Sequence, residues 1–126
     1  MLFVGNDVSG GEDDHTPEEV AALMRYIRDV SRVHRPEAPV FLIEVTPTPR
    51  RWEMWSRTRR ISEALREVCL TSPNTWFIPT AEPFLTNDKE PRSDLFIFDG
   101  LHLNAAGYEK WSELIRRRLS EVLGKP

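Results

Sequence analysis

Near one end of the chain, Asp99-Gly100-Leu101-His102-Leu103-Asn104 sets an acid three residues ahead of a histidine, across a glycine turn. At that spacing the chain can curl back so that the carboxylate holds one imidazole nitrogen and leaves the other as a general base near neutral pH. Those are the base and the orienting acid of a hydrolytic triad. The plainer reading of the same spacing is that Asp99 caps a turn and His102 opens the helix that follows. Near the other end, Gly5-Asn6 closes an apolar run, where the Asn6 amide can point into a crevice and donate to a developing oxyanion. Gly-Asn-Asp is equally a common way to end a strand.

Other nucleophiles and ligands are sparse. Ser9 is the only serine near Asn6 and is the possible substitute nucleophile, although no nucleophile-elbow pattern surrounds it. Ser56, Ser62 and Ser112 fall on helical patterns and read as surface positions. Cys69, the only cysteine, excludes an internal disulfide and reads as a small core residue near the end of a helix. Glu12, Asp13, Asp14 and His15 could recruit a cation, but such loops are usually solvated, so neither a metal nor another cofactor is assigned. Trp52 and Trp55 could line an acyl pocket, with core packing as the simpler alternative.

These residues need elements to hold them. Met1 to Gly5 reads as a short apolar strand covered on both faces. Thr16-Pro17-Glu18-Glu19 combines an N-cap, a proline at the first helical position and a capping-box glutamate. With Val20, Leu23, Ile27 and Val30 at helical spacing, it predicts a helix over about 17–34. Val40 to Val45 predicts a second buried strand, stopped by Thr46-Pro47-Thr48-Pro49 because proline cannot donate to a ladder. Trp55, Thr58, Ile61, Leu65 and Val68 predict a helix over about 53–70, and Thr75 to Ile78 a third strand. A long connection holding Pro79, Pro83 and Pro91 follows, of a length that is often functional. Asn104 then caps a final helix marked by Tyr108, Trp111, Ile115, Leu119 and Val122.

The order β-α-β-α-β-loop-α over 126 residues predicts one α/β domain, residues 1–126, built on a parallel sheet with right-handed crossovers. Ligands in such folds sit beyond the C-terminal ends of the strands, where Asn6 and the Thr46 to Arg51 loop fall. Apolar residues make up 40% and charged residues 29% of the chain, a globular mixture rather than a disordered one. No apolar run approaches the ~20 residues of a bilayer span, so no membrane span is expected. MLFVGND also lacks the charged start and long apolar stretch of a signal peptide, which makes a cytoplasmic location the expectation. Of the 17 basic residues only Lys89, Lys110 and Lys125 are lysine. The arginine groups at 57, 59, 60 and at 116–118 interleave with Glu63, Glu67, Glu113 and Glu121, and read as solvated helix faces rather than a nucleic-acid footprint.

Leu2-Phe3-Val4-Gly5-Asn6-Asp7 and, about a hundred residues later, Asp99-x-x-His102 with Leu103-Asn104 together resemble the third and fifth sequence blocks of the SGNH hydrolases, the GDSL-type esterases and lipases. The likeness runs on through Thr16 to Val20, through Val40 to Val45 with Thr46-Pro47-Thr48-Pro49-Arg50-Arg51-Trp52, and through Asn104-Ala105-Ala106-Gly107-Tyr108. It covers essentially the whole chain. The resemblance implies a three-layer, flavodoxin-like α/β sheet and an ester substrate, with His102 as base, Asp99 as its orienting acid and Asn6 as an oxyanion-hole donor. Two departures stand out. Gly5 abuts Asn6, where the family usually places one residue between them. The family's Gly-Asp-Ser block with the nucleophilic serine, and its oxyanion-glycine block, both belong upstream of the asparagine block, and this sequence holds neither.

The chain thus resembles the C-terminal part of such a hydrolase, an incomplete sheet of about three strands with three main helices. In the family's strand order, 2-1-3-4-5, the first strand would lie beside Met1 to Gly5. That edge and an apolar patch beside it are therefore expected to be open, favouring a homo-oligomer, a dimer through that strand. Residues 1–126 alone are expected to have negligible esterase activity, since a base and an oxyanion donor without a nucleophile leave only weak activation of water. The alternative is a catalytically inactive, truncated α/β module that oligomerises through the same strand.

Overall fold

The computed structural model describes residues 1–5 and 8–124. Strands β1 (Leu2–Phe3), β2 (Val40–Ile43) and β3 (Thr75–Ile78) form one parallel sheet in the order β1-β2-β3. Leu2 pairs with Leu42 and Phe3 with Ile43, while Val40 to Ile43 pair in step with Thr75 to Ile78. Parallel neighbours cannot be joined by a tight turn, so helices α1 (Pro17–His34) and α2 (Trp55–Leu70) make the crossovers, and α3 (Ala105–Leu123) closes the chain. This is the α/β sheet expected from the alternating sequence.

Side-chain alternation along the strands divides the core in two. Leu2, Val40, Leu42 and Phe77 meet Val20 and Met24 of α1 and Ile61, Leu65 and Val68 of α2. Phe41, Ile43 and Ile78 point the other way, onto Trp111, Ile115 and Leu119 of α3. Helices therefore cover both faces, which is why β2 is an unbroken apolar run. Each fully buried aliphatic side chain contributes roughly 1.5–3 kcal/mol.

The edge strand departs from the expectation of a strand from Met1 to Gly5 buried on both faces. Only Leu2 and Phe3 pair, Met1 is 68% and Phe3 51% exposed, and the outer edge of β1 has no partner among the described residues. With a single neighbouring strand, no described residue pairs along its far side. In α1 the capping box forms as read, with Thr16 and Glu19 exchanging side-chain and backbone bonds. Its buried residues, however, are Val20 and Met24, while Leu23, Ile27 and Val30 stay largely exposed, as do Tyr26 and Val33. The apolar arc of α1 is wider than the layer it shares with α2.

A 3₁₀ turn, Trp52–Met54, leads into α2 and takes up the first residues of the expected helix. Thr58, Ile61, Leu65 and Val68 are buried as expected, but so is Ser62, whose hydroxyl has no hydrogen-bond partner among the described residues. Ser62 lies four residues after Thr58 and three before Leu65, which places it inside the core-facing arc rather than on the surface. Among the described residues, no helix is long and apolar enough to cross a membrane.

Candidate active site

Beyond the C-terminal ends of β1 and β2, a cavity of about 250 Å³ opens between the loops that leave those strands and the hairpin that precedes α3. Phe3, Val45, Pro47, Trp55, Leu101 and Trp111 form much of its wall, and His102 and Arg51 are its basic residues.

The hairpin is built in steps along the long connection after β3. One carboxylate oxygen of Glu44 accepts from the backbone N–H groups of Thr80 at 2.8 Å and Ala81 at 2.9 Å, tying the start of that connection to the end of β2. Phe84, Leu95 and Phe96 then bury against Leu114 of α3. Phe96 bridges Leu103 in antiparallel fashion, and the Ile97 N–H donates to the His102 carbonyl at 2.9 Å, which folds residues 96–103 back on themselves. Gly100 sits at the tip with φ +64°, the left-handed region that glycine occupies without strain. Asn104 secures the base by capping α3, accepting from the Gly107 N–H at 2.9 Å, and by donating to the Asp94 carbonyl at 2.8 Å. Gly107 is required by contact: a Cβ there would stand 2.2 Å from the Leu95 carbonyl oxygen.

At this turn Asp99 does two jobs. Its Oδ1 accepts from the backbone N–H groups of Leu101 at 2.9 Å and His102 at 3.0 Å, and its Oδ2 meets His102 Nδ1 at 2.6 Å. The His102 ring and these two N–H groups hold the Asp99 carboxyl down at about 2, below its ordinary 3.8. Ionised Asp99 only accepts, so Nδ1 carries the shared proton and neutral His102 keeps the lone pair on Nε2. The turn-cap and ring-holding readings of this spacing are therefore both realised. His102 itself stays outside the helix, which begins at Ala105.

The loop after β2 joins the two ends of the site. The Arg50 N–H donates to the Gly100 carbonyl at 3.0 Å, and Arg51 Nη1 donates to the Gly5 carbonyl. Sequence reasoning placed this loop at the strand ends but singled out neither arginine. Two consecutive basic residues directly after the prolines that end a buried strand are the available signal. Asn6, the expected oxyanion donor, lies outside the described residues; Gly5 before it lines the cavity.

The remaining candidates fall elsewhere. The Ser9 hydroxyl donates to Asp14 Oδ1 at 2.7 Å, and Ser9 is not on the cavity wall. Asp14 also accepts from the backbone N–H groups of Ser9 and Gly10, so its carboxylate organises the loop, and those bonds lower its pKa. The described residues gather no set of three His, Cys, Asp or Glu side chains able to hold a metal ion. Burial pushes the Cys69 thiol up to about 11, and the side chain packs from the last turn of α2 against the core. Trp52 and Trp55 stack with ring centres 5.8 Å apart, and of the two only Trp55 lines the cavity. On α3, Arg117 and Arg118 both approach Glu121.

Comparison with known proteins matches residues 1–110 to the model of the GDSL-like lipase/acylhydrolase family. No curated protein sequence matches significantly. Among solved structures, a protein from Streptococcus pneumonia, described only provisionally as a platelet activating factor, superposes with a TM-score of 0.78 at 20% identity over 93% of this chain. The esterase domain of the ZfL2-1 ORF1 protein from a zebrafish retrotransposon gives 0.67 at 28% identity over 83%. A GDSL-like lipase from Bacteroides thetaiotaomicron gives 0.68 at 16% identity over 97%. The chain spans 58%, 63% and 62% of these three proteins respectively.

Proposed function

The chain belongs to the GDSL-like lipase/acylhydrolase family, and from that premise we propose that it supplies the catalytic-base portion of a serine ester hydrolase. The observation that carries this reading is His102, on the wall of a cavity at the strand ends, with its Nδ1 2.6 Å from the Asp99 carboxylate behind it. In the complete site a serine hydroxyl attacks the ester carbonyl while His102 Nε2 takes its proton and returns it to the departing alkoxide. Water then attacks the acyl-serine, giving its proton to the same nitrogen, which passes it back to the serine oxygen as the acid leaves. Asp99 orients the ring and stabilises the imidazolium, and Asn6 donates to the oxyanion.

The serine of this reaction comes from a segment other than residues 1–126. Among the described residues no serine lines the cavity; the threonine hydroxyls that do, those of Thr46, Thr48 and Thr58, are bonded to Thr80, the Arg51 N–H and the Met54 carbonyl, and the remaining hydroxyl there is the phenol of Tyr108. Residues 1–126 alone are therefore expected to hydrolyse p-nitrophenyl acetate no faster than free imidazole at equal concentration. Enzyme-like turnover that is lost in His102→Ala would contradict this division of labour, and its loss in Ser9→Ala as well would make Ser9 the nucleophile.

The second reading, an oligomer assembled through the first strand, is favoured by one observation. The open edge of β1, with Phe3 51% exposed, belongs to the same molecule as the uncovered arc of α1 bearing Leu23, Ile27 and Val33. An unpaired strand edge and exposed apolar surface both invite association, and a second copy of the chain can satisfy both.

A further inference from the structure

We infer that Arg51 selects esters that carry an anionic group, a carboxylate or a phosphate, near the scissile bond; the inference rests on the hydrolase reading above. Among the described residues, Arg51 and His102 are the basic ones on the cavity wall, and none there is an aspartate or glutamate. The Arg51 guanidinium spends one N–H on the Gly5 carbonyl, its single hydrogen bond from the side chain among the described residues, and no carboxylate there lies within ion-pair distance of it. The nearby negative charge of Asp99 is already engaged by the His102 ring and two backbone N–H groups. A half-buried guanidinium with spare donors therefore faces a largely apolar cavity with no anion among the described residues to answer it.

Charge-assisted bonds are roughly twice as strong as neutral ones, and the planar fork of arginine matches the paired oxygens of a carboxylate or phosphate. The fork is also well placed. The Arg50 N–H fixes its loop to Gly100 in the catalytic turn, and the Gly5 carbonyl fixes the side chain at the end of β1. An anion on Arg51 would direct the remainder of a short ester along Val45, Pro47 and Trp55, within a volume suited to a small substrate. The same charge would repel cationic esters and gain nothing from neutral ones.

The test is a tryptophan-fluorescence titration of the 126-residue chain, since Trp55 and Trp111 line the cavity. The probes are monobutyl succinate, its neutral methyl ester and 1-butyrylglycerol 3-phosphate, with the His102 ring resonances followed in parallel. The expected result is that at least one anionic probe binds about tenfold more tightly than the neutral ester, the scale of one charge-assisted contact. Arg51→Gln should abolish that preference and Arg51→Lys retain part of it, and the stronger of the two anionic probes identifies the preferred group. Equal binding of charged and neutral probes by the native chain, or a preference that survives Arg51→Gln, overturns the inference while leaving the hydrolase reading intact. If no probe perturbs either the tryptophans or His102, the cavity is not an ester site, and both readings fall.

Discussion

Asp99 grips His102 twice: one carboxylate oxygen accepts from the histidine's own backbone N–H at 3.0 Å, and the other meets its ring at Nδ1, 2.6 Å away. The residue that sets the path of the backbone also sets the tilt of the imidazole. The orientation of the ring within the turn is therefore set locally, while the turn itself rests on α3 and on the loop after β2.

Acid should reveal this grip. The carboxyl of Asp99 lies at about 2 in the folded chain and at 3.8 when unperturbed. A depressed value means that its stabilising bonds are complete above pH 3.8 and are lost as pH falls from there through about 2. Carbon-13 titration of the Asp99 carboxyl should give a midpoint near the lower value. A midpoint at the ordinary value would mean that the contact with His102 is not populated in solution. Asp99→Asn should remove this acid-side loss and release the ring.

Gly107→Ala separates two opposed effects. Alanine gains up to about 1 kcal/mol over glycine inside a helix. Here its Cβ would meet the Leu95 carbonyl oxygen at 2.2 Å, a backbone clash that no rotamer relieves. Overpacking of this kind costs roughly 1–3 kcal/mol, so net destabilisation is expected in thermal unfolding, with displaced His102 resonances as the hairpin lifts from α3. A more stable protein with unmoved His102 signals would show that the hairpin does not rest on this contact.

The uncovered edge and helix face make their own prediction. At micromolar concentration, light scattering should give a species larger than one chain, and Phe3→Glu together with Ile27→Glu should shift it toward the monomer. A monodisperse monomer of the native chain that binds no apolar-surface dye would contradict association through β1 and α1.

How much of this was readable in advance depended on range. The three strands, the three helices and the Asn104 cap follow from periodicity and turn chemistry, which act over a few residues. The Asp99–His102 contact is equally local, but the spacing alone offers it only beside a plain turn cap, and the resemblance to the hydrolase family is what favours it. The Arg50–Gly100 and Arg51–Gly5 bonds join segments nearly fifty residues apart, so no local pattern announces them. Ser62 was misread because a serine on a helix looks like surface until the position of the buried arc is known. The shortness of β1 and the exposure of Leu23, Ile27 and Val30 depend on what lies beside them, which the residues of the strand and helix do not specify.

The central claim is that His102 serves as the base of an ester hydrolase whose serine lies on another segment. It is tested most directly by joining the part of the zebrafish esterase domain that this chain does not cover ahead of Met1 and measuring p-nitrophenyl acetate hydrolysis. The account predicts turnover that falls about 10²–10⁴-fold in His102→Ala, the usual worth of a positioned base. Turnover that is unchanged by His102→Ala would contradict it.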